Sequence, residues 1–351
     1  MTLTVRPATP ADHEAVACVY TVARPGNPAT ASLLLAADAA QAEVGATHAR
    51  WLAEQGGEVI GAAEIMEPLG SRSPGSFWLE LAVLQEARGQ GAATLLYRAL
   101  ARELALLAPG LTTSHTALRL KAVVSEANPV ALRFAQRRGF AEVERFWDRT
   151  LELRHFNALR HTRPPPKGLE LVTLTQFAAR VPDVVAALHP LYEEARADLP
   201  RSPGEAYTPM PPSALTGWLS HLDPALFTLA LRGDVPVGFT ALEPSGATGP
   251  ADPATGNIGL LTAHSGPAHD PAKYELMIAM TGVARTERNR GLARALKVGS
   301  MEAAKQAGWA VIRTSNHSGN MGMLKVNDAL GFGREPARLG MLREVAVGEK
   351  I

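Results

Sequence analysis

One short pattern occurs twice in this chain, two hundred residues apart. "QEARGQGAATLLY", Gln85 to Tyr97, and "RTERNRGLARALK", Arg285 to Lys297, share an arginine, two residues, a glycine, one residue and an alanine, and then a helical periodicity. Each copy follows an apolar, strand-like run, "FWLELAVL" and "YELMIAMTGV". A strand that ends in a glycine turn and opens a helix presents amides without partners at the positive end of the helix dipole, a ready site for an anion. Gly91 and Gly291 let a ligand approach the backbone, Ala93 and Ala293 keep the next turn narrow, and Arg88 and Arg288 add charge. The alternative for either copy is a tight strand-to-helix turn with solvated arginines.

The surrounding elements repeat as well, so a chain of 351 residues is expected to hold two units. In the first, "LTVRPATPADHEAVACVY" reads as a strand, a turn and a helix from about Asp12, and "ARWLAEQ" with "EVIGAAEIM" as a hairpin around Gly56-Gly57. After the motif come a helix with apolar Leu95, Leu96, Ala99, Leu100 and Leu104, the strand "LRLKAVVS", the helix "PVALRFAQRR" and closing strands in "GFAEVERFWDRTLEL". The second unit gives a strand from about Leu169, a helix from about Asp183, strands "LFTLALRG" and "VPVGFTALEP", the motif with its helix, strand "AVIRTSN" and helix "NMGMLKVNDAL". "RHTRPPPKG" lies between them, and Pro164, Pro165 and Pro166 favour an extended spacer. The expected division is 1–157, linker 158–168 and 169–351. One Gly- and Pro-rich segment, Ser245 to Pro271, has no counterpart in the first unit and reads as a functional loop or a floppy insertion.

Composition narrows the chemistry. With 46% hydrophobic and 20% charged residues the chain can bury a sizeable core, and a net charge of +1 offers no broad field for nucleic acid. The single Cys18 excludes an intramolecular disulfide and a cysteine-rich metal site, which fits a cytoplasmic protein. The N-terminus lacks the pattern of a signal peptide, and no apolar run reaches the ~20 residues of a membrane span. Neither a P-loop nor a complete dinucleotide fingerprint is present. His13-Glu14 lacks a zincin partner, and His264, Ser265, His269 and Asp270 lack ligand spacing, so no metal is expected.

"VLQEARGQGAA" from Val83 and "VARTERNRGLA" from Val283 resemble the acetyl-coenzyme A motif of the GNAT acetyltransferases. "NPVALRFAQRRGF" from Asn128 and "NMGMLKVNDALGF" from Asn320 are similar to that family's last helix and following turn, and Thr314 to Phe332 is most similar to mycothiol-synthase-like tandem members. The resemblance implies an α/β fold of two tandem GNAT domains, each a mixed sheet with splayed central strands flanked by helices. It implies that the pyrophosphate of acetyl-coenzyme A sits on amides of Arg88, Gly89, Gln90, Gly91, Ala92 and Ala93, or of Arg288, Asn289, Arg290, Gly291, Leu292 and Ala293. Pantetheine would run along the strands ending at Val83 or Val283, with Asn128 or Asn320 in contact.

The implied reaction is transfer of acetyl to the amine of a small molecule, chiefly in the C-terminal unit, which needs a base for the ammonium proton. The rival reading is a coenzyme A-binding sensor or scaffold. Many family members carry a tyrosine seven residues after the asparagine, thought to protonate the leaving thiolate, whereas this chain has Ala135 and Asn327 there. Glu275, eight residues before Val283, is expected on the face of Val283 unless a bulge intervenes, and is the candidate base or else a structural carboxylate; Glu80 is expected on the face opposite Val83. Tyr207, Trp218 and His317 are the acceptor-site candidates, with packing or loop surface as the alternative.

Overall fold

The computed structural model describes residues 2–23, 29–69, 75–111, 117–162, 165–202, 205–220, 222–244, 275–346 and 349. Ser245 to Pro271, with His264, Ser265, His269 and Asp270, lies outside them.

The first repeat runs β1 (Leu3–Pro7), α1 (His13–Ala23), α2 (Ala31–Glu43), β2 (His48–Gln55), β3 (Glu58–Met66), β4 (Ser76–Val83), α3 (Ala92–Leu111), β5 (Ala117–Ser125), α4 (Pro129–Gln136) and β6 (Ala141–Glu152). A short α5 (Ala158–His161) follows, where an extended spacer was expected. Asn157 caps it, and the His161 ring stacks on Phe156, which draws this stretch onto the core. The second repeat runs β7 (Glu170–Thr173), α6 (Leu174–Ala178), α7 (Val184–Ala197), α8 (Pro212–Ser220), β8 (Phe227–Arg232), β9 (Val235–Pro244), β10 (Glu275–Val283), α9 (Leu292–Gln306), β11 (Val311–His317), α10 (Met321–Leu330), β12 (Gly333–Arg334) and β13 (Arg338–Ala346).

Among the described residues the strands form one mixed sheet in the order β1-β2-β3-β4-β5-β13-β6-β11-β10-β9-β8-β7, with β12 beside β6. Alternation along the strands assigns its two faces. Leu52, Ala62 and Ala82 pack under α1 and α2, whereas their neighbours Ala53, Ala63 and Val83 pack with Leu96, Leu100 and Leu104 of α3. Leu229 and Phe239 lie with α7 and α8, and Ala230 and Val237 lie with Leu292 and Leu296 of α9. The register through β5, β13, β6 and β11 carries the α3 face into the α9 face, so both motif helices share one side of the sheet.

The order also shows that the repeats exchange their closing strands. β13, the C-terminal strand, lies against β5 of the first repeat from Arg338↔Ser125 to Ala346↔Ala117, and β6 of the first lies against β11 of the second from Val311↔Glu152 to His317↔Phe146. Buried pairs fasten the seam: Arg338 donates to Asp148 at 2.7 and 3.0 Å and to Ser315 Oγ at 2.7 Å. We propose 1–157 and 169–351 as the two repeat units, each lending its last strand to the sheet of the other.

Candidate functional site: two splayed clefts

The parallel strands at the centre of each repeat pair for three residues and then part. β4 meets β5 at Ser76↔Arg119, Phe77↔Leu120 and Trp78↔Lys121; β10 meets β11 at Glu275↔Val311, Leu276↔Ile312 and Met277↔Arg313. Beyond those pairs each couple forms a V whose facing backbone groups are not joined by strand pairing, and the V of each repeat leads into its glycine turn.

The two turns share a geometry. Gly89, Gly91 and Gly291 have φ of 79°, 94° and 82°, and Asn289 is in the left-handed region at 61°. The first helical bonds to the glycine carbonyls come from Thr94 and Leu95 in one repeat and from Ala295 in the other, so the amides just before them are at the unpaired start of the helix. A Cβ added at Gly91 or Gly291 would meet nothing within 4 Å, so the space before each turn is open. Ala92 and Leu292 are buried, leaving only their backbone toward the turn, and Ala93 and Ala293 are half-buried. These features suit an anionic group lying against the turn.

The arginines have a second duty that spacing does not reveal. Arg88 Nε donates to the Val83 carbonyl at 3.0 Å and Arg288 Nε to the Val283 carbonyl at 2.9 Å, tying each turn to the end of its strand. In the second repeat the crowded arginines are paired: Arg285 and Arg288 with Asp198 (both 2.6 Å), and Arg290 with Glu287 (3.2 Å), which also takes Arg232 (2.6 Å). Hydrogen bonds from Arg285, outweighing partial burial, hold the Asp198 carboxyl down at about 2. Gln90 is bonded to Gln55 at 3.0 Å. Asn128 and Asn320 are N-caps of α4 and α10, their side-chain oxygens accepting from Ala131 N (3.0 Å) and Met323 N (3.2 Å). Their NH2 groups are not used by the caps and are left to turn toward a ligand.

Two expectations need correction. A bulge between Ile278 and Met280 interrupts the alternation of β10, so Glu275 and Val283 lie on opposite faces. Glu275 is buried and gripped by Arg313 (2.8 and 3.3 Å), which also holds Glu335, an arrangement that commits the carboxylate to a buried ion pair. Trp218 is not at an acceptor surface: it is core, packed on Tyr192, Phe227 and Phe239. Glu80 lies opposite Val83 as expected, across from Glu64 of β3.

The other acceptor candidates stand on the face bearing α7. Tyr207 donates its hydroxyl to Glu193 of α7, and burial together with that carboxylate pushes the phenol up to about 12. His317 ends β11; its Nδ1 accepts from Gly319 N at 2.9 Å, which places its proton on Nε2, 3.6 Å from Glu144 of β6. Burial raises the Glu144 carboxyl against the hydrogen bond from Ser202. The first repeat gathers a different cluster on the same face, His13, Asp38, His48, Arg50 and Glu64, beside a cavity of about 130 Å³.

Sequence reasoning missed Lys297. It lies on α9, is 1% exposed, and its Nζ donates to Asn327 Oδ1 at 2.6 Å, while Asn327 Nδ2 donates to Asn316 Oδ1 of β11 at 2.6 Å. The available signal was a lysine inside the apolar stripe Leu292, Leu296, Val298 and Met301.

Residues 19–140 match the family model described as Acetyltransferase (GNAT) family. No curated protein sequence matches the chain. Among solved structures, a GCN5-related N-acetyltransferase from Sphaerobacter thermophilus is similar at 18% identity over 99% of this chain and 98% of that one, with a TM-score of 0.68. A tandem GNAT protein from the clavulanic acid biosynthesis pathway is similar at 18% identity over 98% of each chain, with a TM-score of 0.65. No helix among the described residues is long and apolar enough to cross a membrane. Residues 19–140 thus match the GNAT acetyltransferase family model, and over its full length the chain shares the fold of the tandem GNAT proteins.

Proposed function

We propose that this protein transfers the acetyl group of acetyl-coenzyme A to an amine of a small molecule, with the chemistry in the C-terminal cleft. The observation that carries this reading is the parting of β10 and β11 after three residue pairs, with β10 running on to the open turn at Gly291. Amides of 289–293 would hold the pyrophosphate, and the edge of β10 that has left β11, up to Val283, would align the pantetheine arm. Acetyl-coenzyme A supplies an activated acyl group as a thioester.

The chain's own work is to orient two partners from opposite faces. The donor substrate enters from the side of α9 and α10, and the amine from the side of α7, where His317, Glu144 and Tyr207 offer a polar approach. With its proton on Nε2 and Nδ1 occupied by Gly319 N, His317 is a hydrogen-bond donor there, suited to placing the acceptor. Glu275 is assigned to holding Arg313 and the base of the V together. Water on the acceptor side would take the surplus ammonium proton.

Native mass spectrometry with acetyl-coenzyme A, followed by an amine screen for release of free thiol, tests the reading. The expected result is a bound donor and thiol release with at least one amine class. Donor binding without thiol release across the screen would favour the sensor or scaffold reading.

A further inference from the structure

The C-terminal cleft holds a buried amine with one acceptor. An ammonium carries three protons, yet Lys297 Nζ is described with a single hydrogen bond, to the neutral Asn327 Oδ1. The Phe332 ring lies 5.8 Å from the nitrogen. The charge that bears on it is Arg149 of β6, which is itself bonded to Asp328 of α10. A buried cation without a carboxylate partner is costly to hold, and a structural role alone would be better served by an apolar side chain.

The chain of contacts from Lys297 leads toward the open part of the site. Asn327 passes the contact to Asn316, and Asn316 lies on β11 beyond Arg313, the last residue of that strand paired to β10. Lys297 is on the second turn of α9, which Gly291 caps. The amine therefore faces the cofactor side of the V, away from the face that carries His317.

We propose that Lys297 is the proton donor to the leaving thiolate of coenzyme A, with Asn327 and Asn316 as its positioning residues. The step rests on the acetyl-transfer reading above. The neutral acceptor nitrogen forms a bond to the thioester carbonyl carbon, the C–S bond breaks with its electron pair leaving on sulfur, and the nitrogen gives its surplus proton to water to become the amide. The Lys297 ammonium gives its proton to that sulfur, producing free thiol, and the neutral amine recovers a proton from solvent. Burial, with Arg149 adding to it, brings the Lys297 amine down to about 7, where it both holds and yields a proton near neutrality.

The test combines NMR of protein labelled at lysine Cε with kinetics of Lys297→Met and Lys297→Arg. In the parent, the Lys297 signal, assigned by its loss in either variant, should titrate near neutrality and shift when coenzyme A is added. Lys297→Met should lower kcat on the order of 100-fold at nearly unchanged donor affinity, and its residual rate should lose the alkaline fall of the parent profile. Lys297→Arg, which keeps the charge but not a titratable proton, should also lose that limb. The folded-state amine titrates below its unfolded value of 10.5, so the unfolded chain binds more protons between about 7 and 10.5 and the parent gains stability as pH rises through that window. Lys297→Met should accordingly melt above the parent at pH 7, by a margin that narrows toward pH 10. A parent-like kcat and pH profile in Lys297→Met, or a Lys297 signal indifferent to coenzyme A, would overturn the proposal. Failure of the parent itself to bind donor or release thiol would instead count against the acetyl-transfer reading.

Discussion

The cleft between β4 and β5 and the cleft between β10 and β11 share their framework: three paired residues, a V, an arginine tied to the last valine and an open glycine turn. They differ in the wall between the motif helix and the next helix. In the N-terminal repeat Tyr97 and Phe134 meet edge to face at 6.3 Å, and the Arg138 guanidinium lies 3.3 Å from the Phe134 ring centre. Tyr97, the counterpart of Lys297, accepts from Arg343 of the exchanged strand β13 at 2.9 Å. In the C-terminal repeat the same wall holds Lys297, Asn327 and Asn316. One backbone design thus carries an aromatic wall in one copy and a polar one with a titratable amine in the other. On the proposed reading, the shared turn would receive the donor in either cleft, whereas only the C-terminal wall carries a titratable amine beside it.

The comparison also depends on the exchange of strands, and the largest effect should come from breaking it. Deleting residues 338–351 removes the strand between β5 and β6, so the damage should appear in the N-terminal repeat, far from the cut in sequence. Hydrogen exchange should show β5 losing protection throughout Ala117–Ser125. Parent-like protection there would mean that the repeats do not rely on each other's strands.

Glu275→Gln sharpens the division between scaffold and chemistry. It takes the charge from a buried pair with Arg313 and should cost about 2 kcal/mol of stability, read as a lowered Tm, with kcat at saturating substrates close to the parent's. A collapsed kcat with an unchanged Tm would restore Glu275 as the base.

The smallest effects should come from the helix caps. Asn128→Ala and Asn320→Ala should each cost about 1 kcal/mol through loss of the cap. If donor binding matters chiefly in the second cleft, Asn320→Ala should also raise the donor KM while Asn128→Ala leaves it unchanged. Equal KM values for both variants would confine the two asparagines to capping.

Much of the fold was legible because it is written locally. The Gly56-Gly57 hairpin, the caps at Asp183 and Asn320, and the apolar stripe of Leu96, Leu100 and Leu104 all act within a few residues of one another. The strand exchange was not legible, because β6 and β13 follow similar turns and nothing in either run says which neighbour it will pair with. The bulge at Ile278–Met280 was equally hidden: spacing gives parity along a regular strand, and a single inserted residue reverses it. α2 escaped because its alanine-rich run "ASLLLAADAAQAE" lacks a clear apolar period. At the site, the glycine turns could be read from their residue types, whereas Trp218 was misplaced because an aromatic side chain serves a core as readily as a pocket. The Lys297–Asn327 contact joins two helices thirty residues apart and exists only once they pack.

The central claim, that chemistry belongs to the C-terminal cleft, is tested most directly by comparing Gly291→Glu and Gly91→Glu in steady-state thiol release. Both positions have positive φ and open space before them, so each substitution imposes similar backbone strain and puts a carboxylate where a pyrophosphate would lie. Melting curves close to the parent's must first show that both variants fold. Gly291→Glu should lose activity by at least on the order of 100-fold while Gly91→Glu keeps most of it. Full turnover in folded Gly291→Glu with loss in Gly91→Glu would contradict the account and move the chemistry to the N-terminal cleft.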